Sequence, residues 1–301
     1  MLQKDIVNKI LAFLKSNWSY ILCFLFYFFL ALGFVELVLG FYFRRIKLSD
    51  VFFCTSFIYA VCIGLAFSPI AERFMRYIKG AYEIETEEDK ELLLPLFEEV
   101  REQALRQSTK ISEEVKLYIA ENKTVEAYTI GEKAIVINRG TIETFSSEEL
   151  KSIIAHELGH IANGDAKKFL IYLVANGFFL FTILIYSFMS KKFKYLVDYF
   201  SKGGSIFGLI VLFLQVIIDL YIALFVFIGN ILIAINSRKS EFLADDFAFD
   251  LELGEELKNV LYILRKLTVH NKVKLTERLK ATHPHTGARI KRLESKLIEQ
   301  E

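Results

Sequence analysis

Residues 146–165 read SSEELKSIIAHELGHIANGD. Ser146 followed by Glu149 has the spacing of a helix capping box, and the apolar residues after it recur at helical intervals. The Asn-Gly pair near the end of the stretch is typical of a helix terminus. We therefore predict a helix over 147–163.

The centre of this predicted helix, 156–160, has the H-E-x-x-H arrangement. Residues four apart on an α-helix lie one turn above another, so His156 and His160 can offer imidazole nitrogens to one metal ion. Glu157 projects beside that ion, where it can act as a general base. The alternative is a chance match on an ordinary amphipathic helix. The whole chain has only 5 histidines, and two of them occupy this pattern, which favours the metal site.

A third ligand is needed, because a catalytic zinc ion is held by three protein ligands and keeps one open position. Residues 238–246 read RKSEFLADD and place Glu241 and Asp245 one helical turn apart on the same face. We predict that Glu241 is the third ligand and that Asp245 orients a ligand histidine from behind. The alternative is a solvated acidic patch at a helix end. The pattern predicts one Zn²⁺ per chain.

The composition is that of a membrane protein. Of the 301 residues, 53% are hydrophobic and 15% aromatic, and the charged residues are absent from long windows. The formal net charge of +1 provides no excess of basic residues for a nucleic-acid partner. With 29 Phe and only 3 Pro, the chain is not disordered.

Four windows are long and apolar enough to cross a hydrocarbon core of about 30 Å as helices. The predicted transmembrane helices are 16–43, 51–71, 169–190 and 205–236. An even number of spans places three polar regions on one face, namely 1–15, 72–168 and 237–301. Lys and Arg near the spans favour a cytoplasmic location for that face, as in a multi-pass protein of the cell (inner) membrane. Glu36 and Asp219 lie within spans, where a transport role is the alternative to contact with a neighbouring helix.

The polar region between the second and third spans combines helical and strand patterns. Residues 72–106 are charge-rich and carry apolar residues at helical spacing. Three short segments follow that are rich in β-branched and aromatic residues and are separated by turn-like tripeptides. We predict strands at 115–119, 125–129 and 134–137, in a small antiparallel sheet.

Three motifs together resemble those of the HtpX-type membrane zinc metalloproteases, which are gluzincins related to the CAAX prenyl proteases. They are IIAHELGHIANGD at 153–165, RKSEFLAD at 238–245, and Thr-His-Pro at 282–284 followed by Arg-Ile at 289–290. The resemblance covers nearly the whole chain. It implies a mainly α membrane protein in which four transmembrane helices accompany a zincin-type α+β catalytic domain. It also implies a zinc-dependent endopeptidase that acts in membrane-protein quality control and stress response and often cleaves itself.

The resemblance implies roles for two further residues. In that family the histidine of the His-Pro motif and the arginine after it contact the substrate or the oxyanion, which assigns these roles to His283 and Arg289. From the residues alone another interpretation is open. Pro284 can occupy the first position of a helix, and Arg289 can pair with neighbouring carboxylates.

The predicted edge strand before the motif helix departs from the family pattern. Relatives usually carry Asn-Ala-Phe there, whereas this chain has Glu126, Ala127 and Tyr128. Glu126 cannot donate the amide hydrogen bond that an asparagine would give to a substrate carbonyl. Substrate binding at this strand is therefore expected to depend on backbone pairing, in which an extended peptide adds to the edge of the sheet.

The predicted ligands lie close to the apolar windows along the chain. His160 precedes the third span by about nine residues and Glu241 follows the fourth by about six, which corresponds to no more than roughly 14 Å of helix. We therefore expect substrates that are membrane proteins, or misfolded proteins at the membrane surface. Three alternatives remain: a prenyl-protein processing protease, a membrane signal transducer with a metalloprotease domain, and a structural or transport protein with a chance motif. The loops opposite the polar face are too short for the external domain of a transducer.

Overall fold

The computed structural model describes residues 47–166, 168, 206–269 and 286–300, together with scattered positions between 18 and 36. His283, the segment 1–15 and the predicted span 169–190 lie outside the described residues, as does much of the predicted span 16–43. The chain divides into two compact units. One contains residues 1–63 and 171–233, and the other contains residues 64–170 and 234–301.

The described chain is mainly helical. One short strand lies between its second and third helices, and three more lie between its third and fourth helices. The helices are α1 Leu48–Ala66, α2 Pro69–Lys79, α3 Glu87–Gln107, α4 Arg139–Thr144, α5 Ser147–Asn163, α6 Ile206–Asp250, α7 Gly254–Val269 and α8 Thr286–Gln300. The strands are β1 Ala81–Glu83, β2 Lys116–Ala120, β3 Ala127–Ile130 and β4 Ala134–Asn138.

Among the described residues, α1 is the one helix whose length and apolar composition would allow it to cross a membrane. It ends at Ala66 rather than at the predicted residue 71, because Ser68 caps a separate helix that begins at Pro69. Residues 206–236 of the predicted span 205–236 lie within α6, which continues without interruption to Asp250. The polar pattern that predicted the third ligand is thus the last part of a 45-residue helix.

The sheet has four strands in the order β1-β2-β4-β3. The prediction of a purely antiparallel sheet is wrong, because β2 and β4 are parallel while the other two pairs are antiparallel. A tight turn at Gly131, which has a φ of 63°, joins β3 to β4. All five residues of β4 are buried, so this strand takes a central position and β3 becomes an edge. The short strand β1 was not predicted.

The core of the second unit lies between one face of the sheet and the motif helix α5. Ile135 and Ile137 of β4 share this core with Leu150, Ile154 and Leu158, which form one stripe along α5. Full burial of each such side chain stabilises the fold by roughly 1.5–3 kcal/mol. The other face of the sheet forms a smaller cluster around Tyr118 and Val136. Rigid packing of α5 on the sheet is what holds the motif residues in place.

The predicted helix 147–163 is observed with the predicted ends. The backbone N–H of Ser146 donates to the Glu149 carboxylate over 2.9 Å, as expected for a capping box. At the other end Gly164 adopts a left-handed conformation, with a φ of 66°, and its N–H donates to the carbonyls of His160 and Ile161. This bend turns the next residue, Asp165, back towards the last turn of the helix.

Candidate active site

The two motif histidines and Glu157 form a compact cluster of potential metal ligands. One ligand atom from each of His156, Glu157 and His160 can be chosen so that all three lie within 4.8 Å of one another. The two imidazole rings are 4.8 Å apart between centroids and nearly perpendicular. His156 and Glu157 are buried. The one-turn spacing therefore places both imidazoles on one side of α5, as the sequence predicts.

Glu241, on α6, lies beside both motif histidines. One of its carboxylate oxygens lies 3.5 Å from His156 Nε2 and the other lies 3.8 Å from His160 Nε2. Two imidazole nitrogens and one carboxylate are the donors of many catalytic zinc sites. The three residues thus fit a single zinc ion in donor chemistry and in proximity, with Glu157 beside it.

Both imidazoles are backed by a carboxylate on the nitrogen that faces away from Glu241. Asp245 Oδ1 lies 3.1 Å from His156 Nδ1, although the angle departs from that of a straight hydrogen bond. Asp165 Oδ2 lies 3.0 Å from His160 Nδ1. Such contacts fix the orientation of a ligand imidazole and leave its Nε2 free for a metal.

Asp165 was missed as a site residue in the sequence. It follows the helix terminus, where residues usually point to solvent, and only the left-handed turn at Gly164 brings it to His160. Ser240 donates to the same carboxylate from α6, and Lys168 Nζ lies 3.1 Å from its other oxygen. The aspartate in IIAHELGHIANGD was the available signal.

Arg289 of α8 is buried against the two acidic residues of α6. Its guanidinium donates to both carboxylate oxygens of Asp245, one of them over 2.7 Å, and to Glu241 Oε2 over 2.6 Å. This is the pairing with neighbouring carboxylates that the residues alone left open. The bidentate contact fixes Asp245 behind His156, and the third hydrogen bond fixes Glu241 on the Nε2 side of both histidines.

The buried charges shift one another's pKa values. Burial lowers the pKa of His156, but the Asp245 and Glu241 carboxylates outweigh it and raise the value to about 9. Burial raises the pKa of Asp245, and the neighbouring His156 and Arg289 lower it further than burial raises it. The Asp165 carboxyl likewise has a lowered pKa because His160, Ser240 and Lys168 overcome the effect of its burial. The carboxylates behind the histidines are therefore ionised at neutral pH.

Thr129 on β3 contacts Glu157 directly. Its hydroxyl donates to Glu157 Oε2 over 2.8 Å. The Glu157 backbone carbonyl oxygen lies 3.3 Å from Thr129 Oγ1. No sequence pattern pointed to this residue, because β3 and α5 are joined only through the tertiary fold. The hydrogen bond holds the carboxylate in one rotamer beside the histidines.

We expect Thr129→Val, which keeps the shape but removes the hydroxyl, to lower kcat about tenfold if Glu157 acts as a base. One hydrogen bond to a charged group is worth roughly 1.5–3 kcal/mol, part of which is lost in the reacting geometry. The measurement is kcat, with zinc content determined on the same samples. Thr129→Ser should restore kcat, and an unchanged kcat in Thr129→Val with zinc bound would contradict the assignment.

Gly159 allows α6 to approach α5 closely. A Cβ at this position would lie 2.9 Å from Ala244 Cα and 3.0 Å from Phe247 Cβ. Ala244 precedes Asp245 by one residue, so the same approach brings Glu241 and Asp245 to the histidines. The glycine between the two motif histidines is thus required by packing.

Gly159→Ala should push α6 away from α5 and weaken zinc binding. We expect a loss of about 1–3 kcal/mol in the free energy of unfolding, because the added methyl group meets backbone that cannot yield easily. Thermal unfolding and zinc titration measure the two effects. Gly64→Ala is the control, since nothing lies within 4 Å of its Cβ position and a helical alanine is favoured there. Equal changes of stability and zinc affinity in the two variants would show that α6 does not depend on the glycine for its close approach to α5.

The residues predicted to bind substrate lie at and before the edge strand β3. Glu126 precedes the strand, and its backbone carbonyl accepts from Asn138 N over 3.1 Å and from the Thr141 hydroxyl over 2.8 Å. Ala127 and Tyr128 belong to β3. Because hydrogen-bonded pairs alternate in an antiparallel ladder, the Glu126–Asn138 bond leaves the backbone N–H and C=O of Ala127 directed away from β4. Among the described residues, no strand pairs with that side.

Comparison with known proteins places this site in a family. The model of peptidase family M48 matches residues 95–297, about two thirds of the chain. The chain belongs to peptidase family M48. The matched range begins in α3 and includes every described residue of the site.

Two proteases are similar in sequence to parts of this chain. The chain is 31% identical to Protease HtpX of Pseudomonas savastanoi pv. phaseolicola over 133 residues, which are 44% of this chain and 42% of that protein. It is 26% identical to Protease HtpX homolog of Bacillus pumilus over 210 residues, 64% of this chain and 67% of that protein. The match to the Pseudomonas protein thus spans less than half of its length.

A solved structure shares the fold. The crystal structure of S. mikatae Ste24p superposes with a TM-score of 0.51, covering 97% of this chain and 65% of that chain at 18% identity. At this identity the likeness concerns the fold alone. The family and the fold agree with the resemblance seen in the sequence.

Proposed function

We propose that the protein is a membrane-bound zinc endopeptidase that hydrolyses peptide bonds of membrane or misfolded proteins. One observation carries this proposal: His156, His160 and Glu241 meet around a common point, and Glu157 lies beside them. Membership of peptidase family M48 supports the same activity. Action in quality control at the cytoplasmic face of the cell membrane, and self-cleavage, are parts of the proposal that follow from the family resemblance.

A zinc ion held by His156, His160 and Glu241 would polarise the scissile carbonyl and lower the pKa of water. The chain's own groups would move the proton. Glu157 takes it from the attacking water and passes it to the leaving amine, while Thr129 holds the carboxylate in place. Asp245 and Asp165 keep both imidazoles oriented.

We assign Arg289 to positioning, since its guanidinium already pairs with Glu241 and Asp245. Stabilisation of the oxyanion, which commonly contributes most to such catalysis, is then left to His283. That residue is the other candidate from the family resemblance.

The edge of β3 is the proposed binding site for the substrate backbone. Thr129 touches Glu157, so a peptide paired with this edge would pass directly beside the general base. The outward N–H and C=O of Ala127 can pair with an extended peptide by β-augmentation. The backbone carbonyl of Glu126 would contribute little to substrate binding, because it already accepts hydrogen bonds from Asn138 and Thr141.

Ala127→Pro should cripple cleavage while zinc stays bound. Proline removes the outward N–H without removing a bond to β4, and we expect kcat/KM to fall about tenfold or more. Peptide hydrolysis and zinc content are the two measurements. Ala127→Ser keeps the N–H and serves as the matched control. Full activity of the proline variant would eliminate this binding site.

The direct test of the function is cleavage of an unfolded model protein by detergent-purified enzyme, prepared under chelator and then given Zn²⁺. The same segment joined to a transmembrane helix should be cut faster than the soluble protein if the enzyme acts on membrane substrates. Equal rates would contradict that preference. Processing of one isoprenylated peptide without general proteolysis would instead indicate a prenyl-protein processing protease, and absence of zinc binding would refute the metalloenzyme altogether.

A further inference from the structure

Helix α2 presents an apolar face to its exterior. Ile70 is 73% exposed, Phe74 61%, Tyr77 83% and Ile78 58%. These four residues recur at the spacing of a single helical face. A soluble surface helix shows the reverse arrangement, with its apolar side turned inward.

The inward side of α2 is already occupied by contacts with the sheet. Met75 packs on the cluster around Tyr118 and Val136. Arg76 Nη1 lies 2.7 Å from Glu72 Oε1, and its guanidinium stacks 4.5 Å above the Tyr118 ring. The exposed apolar residues are therefore not the side of α2 that packs on the protein core, because a different side of the helix contacts the sheet.

Charge and chain position indicate what covers this face. The helix carries Arg73, Arg76 and Lys79 against the single acid Glu72, and that acid is paired with Arg76. Arg73 is exposed beside the apolar face, where its guanidinium can reach phosphate groups. Only Phe67 and Ser68 separate α2 from α1, the helix that can cross a membrane.

We infer that α2 lies in the headgroup region of an anionic bilayer, with Ile70, Phe74, Tyr77 and Ile78 inserted among the acyl chains. An amphipathic helix with an excess of basic residues binds such surfaces through apolar burial and attraction to anionic lipid. The inference rests on the proposed membrane location and adds a second membrane contact, made by the unit that contains the active site.

This contact would hold the proposed substrate edge at a fixed distance from the membrane. Lys79 of α2 lies 5.4 Å above the ring of Tyr128 on β3, and Met75 shares a cluster with that tyrosine. A helix anchored in the headgroups is thus packed directly on the strand that carries Ala127 and Thr129.

The test places a nitroxide spin label at Tyr77→Cys in the full chain, with Cys23, Cys54 and Cys62 replaced by serine, in vesicles containing anionic lipid. Collision with lipid-soluble oxygen should exceed collision with a water-soluble nickel chelate severalfold. The control label at Glu102→Cys, an exposed position on α3, should show the opposite ratio. Adding Phe74→Glu should shift the ratio at position 77 towards that of the control.

Each other outcome overturns the inference. A label at position 77 that the nickel chelate reaches as readily as at position 102 places α2 in water. A label that neither reagent reaches shows that protein, such as a second copy, covers the face. Release of the chain from vesicles by alkaline carbonate would refute the membrane location as well. Because the measurement needs no peptidase activity, its result is independent of whether the enzyme cleaves proteins.

Discussion

Glu157→Gln is expected to abolish peptide hydrolysis while the chain still binds one zinc ion. The amide keeps the size of the side chain and its contact with Thr129, but it cannot accept a proton. A general acid-base group contributes about 10²–10⁴-fold to the rate, so kcat should fall by at least a hundredfold. Cleavage of an unfolded protein, with metal content measured on the same samples, checks both parts.

Glu148→Gln is the matched control, because Glu148 lies on the same helix with an exposed side chain. It should retain full activity. His160→Ala should lose both zinc and activity. This result would distinguish a metal ligand from Glu157, whose replacement should remove activity alone. If Glu157→Gln cut at the wild-type rate with zinc bound, the proposed chemistry would be wrong even though the metal site stood.

Arg289→Leu should destabilise the metal-free protein by roughly 3–5 kcal/mol, since two buried carboxylates lose the guanidinium that pairs with both of them. Both partners, Glu241 and Asp245, are buried, so water cannot take the place of the guanidinium. For a unit of this size the midpoint of thermal unfolding should fall by about 10 °C. The measurement is made under chelator, because zinc would itself compensate the carboxylates.

Arg292→Leu provides the comparison on the same helix. Arg292 pairs with Asp246 over 2.6 Å, but its side chain is 42% exposed. An exposed pair contributes about 0–1 kcal/mol, so this variant should unfold within a few degrees of the wild type. Similar losses in the two variants would show that Arg289 acts only as a surface charge. Arg289→Lys should recover part of the stability, because it keeps the charge but lacks the planar guanidinium that donates to both oxygens of Asp245.

The sequence predicted what depends on neighbours along the chain. The ends of α5 follow from its capping box and its terminal glycine, and the placement of two imidazoles on one side follows from helical geometry. The strands were predicted to within a few residues. Their arrangement was not, because the parallel pairing of β2 with β4 depends on which strands pack side by side, which no pattern within a single strand expresses.

The sequence by itself thus determined the motif helix, the pair of histidines with Glu157 beside them, and the two acids of α6 as candidate partners. Only the tertiary structure decided that Thr129 holds Glu157, that Asp165 backs His160, and that Arg289 joins Glu241 and Asp245. The physical reason is that Thr129, Asp165 and Arg289 reach their partners through a strand edge, a left-handed turn and a separate helix. Their positions depend on packing between elements, such as the close approach at Gly159, and not on periodicity within one element.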